Sequence, residues 1–478
     1  GTDYAPTIAY STFAENSVGI VLYAYSGNIT SSIHDNTFTA NYQGLQAYGG
    51  GGSICALPIL SNNAFNDHTD YPIVLSEAFP TYSGNSFSNN AHSAIALSGS
   101  FSCNGTWHQV STFPYVAITD ISVPSGATVT LPPGLVVKFL YSVDLAVYGT
   151  LDLQGTSGSP VVFTSFNDDT GGDTNNNSTS PGPNDWGSIL LYNSNTTFDY
   201  AIVKYASTGL FVRNDSGTDY APTIAYSTFA ENSVGIVLYA YSGNITSSIH
   251  DNTFTANNYG LTANGGSGYA LPTVSDNDIF GNTEYGLYNG TSSQTVIAEG
   301  NWWGDVSGPK HPTVNPGGQG NAVSDDVDFV PWLPSPNFPP ALQVIPTVLD
   351  FGTITTELTF DIRNSGGGAL NWTIEEQTTW LGAQSASGDT GGDGIYTGSG
   401  YETVAAVAGR LGLRETVHNT VITVTSNGGN VVLPVSIIVG PLPGSLSLIA
   451  ASAFDVSHSL AGFAQVDNPQ TSGYEFYR

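Results

Sequence analysis

The chain has 478 residues, enough for two or three domains at about 150 residues each. Asp and Glu number 38 and Lys and Arg only 8, so the formal net charge is −30. This charge excludes a nucleic-acid partner, because proteins bind phosphate backbones chiefly through Lys and Arg. No apolar run approaches the roughly 18 residues of a membrane-spanning helix, so no membrane span is predicted. The low charge content and the abundance of Asn, Ser, Thr and Gly predict an extracellular or cell-surface protein.

An exact duplication is the first indication of the fold. Gly1–Asn41 recurs without change as Gly217–Asn257, at an offset of 216 residues. Similarity decays after this block, although Gly44-Leu45 still matches Gly260-Leu261. A duplication of this kind indicates a tandem module of about 216 residues, and such repeats are typical of solenoid architectures.

A shorter period lies inside each module. An aromatic or aliphatic residue flanked by polar turn residues returns every 22 to 27 residues and is followed by a short apolar run that ends near Gly. These residues are Phe13, Phe38, Phe65 and Phe87, and in the second module Phe229, Phe254 and Ile279. Short β-prone segments between Gly, Asn and Asp turns favour strands. Three strands and three corners fit the period, so a parallel β-helix is predicted, with these side chains in one internal column and asparagines in left-handed backbone conformations at corners.

Further motifs connect the two modules to known proteins. Short alternating strands separated by Gly and Pro run from Trp107 to Phe166. Other motifs are Gly149-Thr150-Leu151, Pro160-Val161-Val162-Phe163-Thr164-Ser165, Asp185-Trp186-Gly187-Ser188-Ile189, and Asn301-Trp302-Trp303-Gly304 with Gly308-Pro309. Through them the chain resembles bacterial and archaeal cell-surface proteins with right-handed parallel β-helix repeats, over about residues 1–334. We expect residues 1–105 to be the C-terminal part of a first β-helix module and residues 106–333 to be a second β-helix module.

A second domain is predicted after the β-helix. The Pro-rich residues 334–341 are expected to form a stiff linker, and strands that alternate at period two predict an Ig-like β-sandwich at 342–440. This region resembles BACON-like modules through Leu349-Asp350-Phe351-Gly352, Asn364-Ser365-Gly366-Gly367, Trp372, Trp380-Leu381 and Ser426-Asn427-Gly428-Gly429. Residues 441–478 are a tail or the start of a further domain. The predicted fold class is all-β: a right-handed parallel β-helix with a C-terminal Ig-like β-sandwich.

An acidic, Gly-containing segment is the best candidate for a cation site. Hard cations such as Ca²⁺ prefer carboxylate and carbonyl oxygens on a flexible backbone. The candidate Ca²⁺ ligands are Asp168, Asp169, Asp173, Asn175 and Asp185. Their spacing does not match an EF-hand, and a solvated loop is the alternative interpretation. Asp389–Asp393 is a weaker candidate because it offers only two carboxylates.

Four tyrosines occupy equivalent places in the duplicated block. Tyr23 and Tyr25, with their copies Tyr239 and Tyr241, alternate along predicted strands and therefore share a face. The favoured interpretation is that they stack on equivalent residues of adjacent coils, and the alternative is a strip that binds glycans. His34 and His250 are also equivalent, and each stands alone, which argues against a metal role.

Glycan-cleaving enzymes also use the β-helix, so catalysis has to be weighed. A hydrolase needs two carboxylates at a fixed separation, and Asp168-Asp169 or Asp325-Asp326 could be proposed. Neither pair is accompanied by a Gly-His-Gly or Arg-x-Lys motif. A lyase needs a cationic base beside clustered acids, but no such cluster is evident around the cations that precede the linker, which are Lys138, Lys204, Arg213 and Lys310. We therefore expect no enzymatic activity.

A disulfide and glycosylated asparagines would both be expected in an exported protein. Cys55 and Cys103 permit one disulfide, and the sequence leaves their pairing open against two free thiols. N-x-S/T sequons mark candidate glycosylation sites at Asn28, Asn104, Asn176, Asn177, Asn195, Asn214, Asn244, Asn289 and Asn371, although a chain rich in Asn, Ser and Thr produces sequons by chance.

The favoured function is that of a structural or adhesive surface protein, since copying a module lengthens a rod but rarely improves an active site. A carbohydrate-binding protein and a glycan-degrading enzyme are the alternatives. Expected partners are surface glycans or further copies of the chain. About 110 residues that head the second module have no counterpart before Gly1, so either more chain precedes it or another copy covers this end, head to tail, as in a filament. The segment Leu446-Ser447-Leu448-Ile449 could supply the added strand.

Overall fold

The computed structural model describes residues 2–110, 113–175, 179–193, 196–291, 294–338, 340–364, 370–383, 387–389, 401–440, 464–468 and 473–477. These residues form strands and turns and contain no helix. None of the described segments could therefore cross a membrane as an apolar helix. The described residues up to Leu342 lie in one compact unit, and most of the described residues from Gln343 onward lie in a second.

The first unit is a parallel β-helix, as predicted. In the first module two faces of the coils carry short parallel strands, at Thr7–Ala9, Ser32–His34, Ile59–Ser61 and Thr81–Ser83, and at Thr12–Ala14, Thr37–Thr39, Ala64–Asn66 and Ser86–Ser88. The third face begins with Val18–Tyr23, Gln43–Tyr48, Ile73–Ser76, Ile95–Ser100 and Tyr115–Val123.

The long strand Tyr115–Val123 pairs with two strands of the next coils, so the third face of the first module continues as two faces of the second. One continues through Val136–Phe139, Val161–Ser165, Ala201–Lys204, Thr228–Ala230, Thr253–Thr255 and Asp278–Phe280. The other continues through Leu145–Val147, Trp186–Leu191, Ala206–Asn214, Val234–Ala240, Tyr259–Gly265 and Tyr285–Gly290.

The remaining strands of the β-helix form smaller sheets. They are Gly105–Thr106, Thr128–Leu131 and Thr150–Leu153; then Phe198–Asp199, Thr223–Ala225, Ser248–His250, Thr273–Ser275, Val296–Ile297 and Val327–Asp328; and last Pro309–Lys310 with Gly320–Ala322.

The second unit contains the sheets of a β-sandwich. One sheet has Leu342–Ile345, Glu357–Asn364, Tyr401–Ala408 and Leu381–Ala383, and the other has Leu349–Asp350, Gly429–Ile438, Val417–Ser426, Asn371–Glu376 and Ser387–Asp389. Trp372, Ile422 and Leu433 are buried in it. In the tail, Ala464–Asn468 and Gly473–Tyr477 form an antiparallel hairpin. The segment Leu446-Ser447-Leu448-Ile449 lies outside the described residues.

The predicted internal column is confirmed. Phe13, Phe38, Phe65 and Phe87 are aligned in adjacent coils, with ring centroids 5.1, 4.6 and 5.3 Å apart. In the second module Phe229, Phe254 and Ile279 are aligned in the same way and fully buried. Stacking of coils at about 4.8 Å brings each ring against the next, which yields a core that is continuous along the axis.

Asparagine side chains connect the coils at two corners. Asn257 is representative: its Oδ1 accepts the backbone N–H and the Nδ2 of Asn232, at 3.0 and 3.1 Å. Its Nδ2 donates to the carbonyl of Phe229 and to Oδ1 of Asn282, both at 2.9 Å. The buried amide of Asn257 thus makes four hydrogen bonds and leaves no polar atom of its side chain without a partner.

The corner prediction is right about the hydrogen bonds, and about the backbone it holds at Asn62 and Asn89 but not at the ladder asparagines themselves. The left-handed conformation falls on the residue before the ladder asparagine, as at Glu231 with φ 55° and Ala256 with φ 54°. A non-glycine residue in this conformation costs about 1 kcal/mol. The hydrogen bonds of the asparagine that follows offset this cost, so the two adjacent residues act together to turn the chain.

One coil of the first module interrupts the ladder. His68 occupies the place that Asn282 holds in the second module, and its ring lies beside Gly44 as Asn282 lies beside Gly260. The buried Nε2 of His68 has no hydrogen-bond partner among the described residues. Burial lowers the pKa of His68, while the hydrogen bond to Asn41 and the charge of Asp67 oppose this effect.

Replacing His68 by Asn should complete the ladder and stabilise the protein by about 1 kcal/mol at pH 7, the net worth of a recovered hydrogen bond. The gain should grow below pH 6.5, because a histidine with a lowered folded pKa makes the protein less stable as the pH falls through that range. Urea unfolding at pH 7 and pH 5 measures both effects.

The reverse change, Asn282→His, is the matched control and should destabilise the protein with the same acid dependence. Equal stability of wild type and His68→Asn at both pH values would contradict this account of the ladder.

Candidate functional site

The predicted calcium segment folds over the outer face of the β-helix. Lys138 lies between Val137 and Phe139, whose side chains are buried in the core. Strand alternation therefore directs Lys138 outward, yet its side chain is fully buried. The loop 166–175 covers it and reaches back to an earlier coil, where the carbonyl of Thr174 lies 3.1 Å from Nδ1 of His92.

The loop oxygens surround the ammonium group of Lys138. Its Nζ donates to the carbonyls of Asp168 at 2.5 Å and Gly172 at 2.7 Å, and to Oγ1 of Thr174 at 3.3 Å. Burial lowers the pKa of Lys138 to about 8, and the negative charges of Asp168, Asp169 and Asp173 limit the fall. Two carbonyl oxygens and one hydroxyl oxygen of this Gly-containing loop thus bind a cation, and that cation is a lysine.

The candidate calcium ligands are only partly brought together. The carboxylate of Asp168 accepts hydrogen bonds from Thr164 and Thr170, and Asp173 accepts from the backbone of Asn175. Asp185 instead accepts from the side chains of Ser165 and Asn167. Within the described residues no three His, Cys, Asp or Glu side chains form a metal-binding group. The calcium site stays a prediction. Most of the second candidate, Asp389–Asp393, lies outside the described residues.

A second buried lysine belongs to the same column. Lys138, Thr164 and Lys204 occupy equivalent places in three successive coils. Nζ of Lys204 lies 2.8 Å from the hydroxyl of Tyr205, 3.4 Å from Glu231 and 4.4 Å from the centroid of the Tyr205 ring. Sequence reasoning found neither site, since an outward lysine in an alternating strand is expected to be solvated.

The four tyrosines share faces as predicted. Tyr23 stacks on Tyr25, with centroids 6.4 Å apart, and Tyr239 on Tyr241 at 6.3 Å. Tyr23 is aligned with Tyr48 in the next coil, so the ladder interpretation is right there. It is wrong for Tyr239, which is aligned with Arg213 and Asn264 on its two sides. The guanidinium of Arg213 lies 5.8 Å from the Tyr241 ring centroid, within reach of a cation–π contact.

The duplicated histidines form identical small clusters. Nδ1 of His34 lies 2.8 Å from the carboxylate of Asp35, and the ring meets Tyr10 edge-on at 5.6 Å. The copy repeats both contacts at His250. Each histidine is therefore engaged by its own neighbours.

The structure joins Cys55 and Cys103 in a disulfide with a Cα–Cα distance of 6.3 Å. Of the candidate glycosylation sites, Asn104 and Asn371 are exposed. Asn214 is fully buried, and its Nδ2 donates to the carbonyls of Thr218 and Asn244. A glycosylating enzyme therefore cannot reach this side chain in the folded protein. Asn28, Asn244 and Asn289 are half-buried and hydrogen-bonded, whereas Asn176, Asn177 and Asn195 lie outside the described residues.

The two candidate carboxylate pairs have different surroundings. Asp168-Asp169 belongs to the loop that holds Lys138. Asp325 and Asp326 line a cleft at the last coils of the β-helix.

The described residues define an all-β protein in which a parallel β-helix is followed by a β-sandwich. Residues 341–438 match the family model of the viral BACON domain, which confirms the resemblance of the predicted sandwich. A search of curated proteins finds no match.

Two solved structures show weak similarity. A Bacteroides ovatus GH5 xyloglucanase in complex with a XXXG heptasaccharide is 18% identical, with a TM-score of 0.16, over 22% of this chain and 20% of the xyloglucanase chain. WR4, a C. elegans MSP family member, is 12% identical, with a TM-score of 0.16, over 21% of this chain and 97% of WR4.

Replacing Lys138 by Met should remove one contribution to the pH dependence of stability. Between pH 8 and 10.5 the unfolded chain holds a proton on Lys138 that the folded chain has released, so wild-type stability gains with rising pH. The unfolding free energy of wild type minus that of Lys138→Met should rise by up to about 3 kcal/mol across this window. Exposed Lys310→Met is the control, and an equal pH profile for wild type and Lys138→Met would contradict the buried ammonium.

Calcium is tested on the same proteins. If the loop binds Ca²⁺ as predicted from the sequence, the melting temperature should rise from EDTA to millimolar Ca²⁺, because a ligand that binds only the native state stabilises it. An unchanged melting temperature would exclude the calcium prediction.

Proposed function

We propose that the chain is an extracellular structural or adhesive surface protein, in which a β-helical rod holds binding surfaces at fixed spacing. The observation that carries the proposal is the continuity of the coils between the two identical blocks. Eight successive strand pairings lead from Val18–Tyr23 to its copy in Val234–Ala240. At about 4.8 Å for each coil, the copies are separated by about 40 Å along the axis.

The chemistry of the coils supports a scaffold. Their interior is filled by aligned phenylalanines and their corners by asparagine ladders, so each coil offers the next the same surface. Such a structure can be lengthened by duplication without a change in packing. The matched BACON domain accords with a surface protein that deals with carbohydrates. Since its family is described as viral, a virus particle is a suitable surface for this role as well as a cell.

Adhesion without cleavage is the expected behaviour. Beads that carry the purified chain should be retained on surfaces coated with polysaccharide or bacterial cells, and the soluble chain should release no reducing sugars from the same polysaccharides. Release of reducing sugars would replace this proposal by the enzyme alternative, and absence of retention on every surface would refute adhesion.

A coil deletion tests the scaffold role. Asn232 and Asn257 occupy equivalent ladder positions in adjacent coils, 25 residues apart. Deletion of Ser233–Asn257 therefore removes one whole coil and places Asn258 directly after Asn232, as it follows Asn257 in the wild type. The shortened chain should fold and adhere, whereas deletion of the half coil Ser233–Asn244 should unfold the second module. A folded coil-deletion variant that no longer adheres would contradict a scaffold of interchangeable coils. Head-to-tail assembly stays a separate prediction, which light scattering of the purified chain checks.

A further inference from the structure

The last coils of the β-helix carry a cleft in which one lining tyrosine replaces an aliphatic residue of the first module. Its volume is about 380 Å³, and its lining includes Tyr285, Tyr288, Thr291, Pro312, Asp325 and Asp326. This volume lies within the range of about 300 to 1,000 Å³ that small-molecule sites occupy. In the first module the strand registers place Tyr71 where the cleft has Tyr285, and Val74 where it has Tyr288.

Two tyrosines, Tyr285 and Tyr288, line the cleft, and a third, Tyr259, packs against both of them. Tyr285 stacks on Tyr259 with centroids 5.9 Å apart, and Tyr288 meets both rings edge-on, at 5.4 and 6.2 Å. These contacts fix the orientation of Tyr288 while 37% of the residue stays exposed. A rigid and partly exposed ring is a surface on which an apolar face of a ligand can pack at little cost in entropy.

Two carboxylates supply acceptors. His311 is buried, and its Nδ1 accepts the backbone N–H of Val314 at 3.0 Å. The proton of the neutral ring is therefore on Nε2, which lies 3.3 Å from Oδ1 of Asp325. The rest of the Asp325 side chain is open, with 90% of its surface exposed.

Asp326 is held by its backbone. Its φ is 58°, in the left-handed region, and its carbonyl accepts Nδ2 of Asn289 at 2.8 Å and the N–H of Val296 at 3.0 Å. A strained conformation of this kind persists only where the surroundings fix it. The backbone that carries Asp326 is therefore fixed where this residue lines the cleft.

Among the described residues, the lining has acceptors and an aromatic face but no Lys or Arg. A ligand that fits must donate hydrogen bonds, present a weakly polar face and carry no negative charge, because two carboxylates would repel an anion. Vicinal hydroxyl groups donate to carboxylates, and the C–H face of a sugar ring packs on tyrosine. We propose that this cleft binds a neutral saccharide, with Tyr288 under the sugar ring and Asp325 and Asp326 accepting its hydroxyl protons.

This inference names the class of ligand that the proposed adhesive function would use, and its biological meaning rests on that proposed function. The binding itself is tested by titration calorimetry with hexasaccharides of β-1,4-glucan, mannan and xylan, with a galacturonan hexasaccharide and with tetramethylammonium. At least one neutral hexasaccharide should bind, and galacturonan at least about tenfold more weakly. Tyr288→Val, which installs the first-module residue, and Asp325→Asn should each weaken binding at least about tenfold, since each removes one of the proposed contacts.

The matched control is Tyr269→Val, which removes an exposed tyrosine outside the cleft and should leave the affinity unchanged. Melting temperatures establish that every variant is folded. No binding of any neutral saccharide, equal binding by all variants, or binding of tetramethylammonium alone would overturn the proposal. If a cleft variant loses saccharide binding but its beads adhere fully, the cleft is not the site of adhesion. If the wild-type chain does not adhere at all, the proposed adhesive function fails, but saccharide binding measured by calorimetry remains valid.

Discussion

The structure depends on the way each coil of the β-helix satisfies the backbone of its neighbour at the corners. Parallel strands pair through their own N–H and C=O groups, but the corners between strands turn too sharply for that ladder to continue. Asparagine side chains continue it there, as Asn232, Asn257 and Asn282 do in succession. The amide is suited to this position because it accepts and donates twice, so a column of identical residues satisfies itself.

This constraint explains features of composition that otherwise look unrelated. A chain whose corners need amides and whose interior needs phenylalanine has little room for charge, and only 10% of its residues are charged. Two lysines of the coils are enclosed, Lys138 by a loop and Lys204 by Tyr205 and Glu231. The cleft at the last coils combines Tyr288, from the strand Tyr285–Gly290, with Asp325, from the turn that precedes Val327–Asp328.

Much of the fold could be predicted from the sequence because the repeat places equivalent residues one coil apart. Phe38 and Phe65 were expected in one column and are stacked at 4.6 Å. The position of the left-handed residue could not be derived, since composition alone does not separate Ala256 from the asparagine that follows it. The sites were harder to predict because each depends on residues that are far apart in the sequence. Lys138 is buried by a loop from the following coil. The cleft brings together residues 285 and 325, which no short motif connects.

The most direct test of the account compares two adjacent asparagines. Asn257 is a fully buried ladder residue, whereas its neighbour Asn258 is exposed. Asn257→Ala leaves the N–H and Nδ2 of Asn232 and the carbonyl of Phe229 without their partner, at about 1 to 3 kcal/mol for each buried group. Urea unfolding should therefore show a loss of at least about 3 kcal/mol for Asn257→Ala and less than about 0.5 kcal/mol for Asn258→Ala. Equal stability of the two variants would contradict the claim that asparagine ladders hold the coils together.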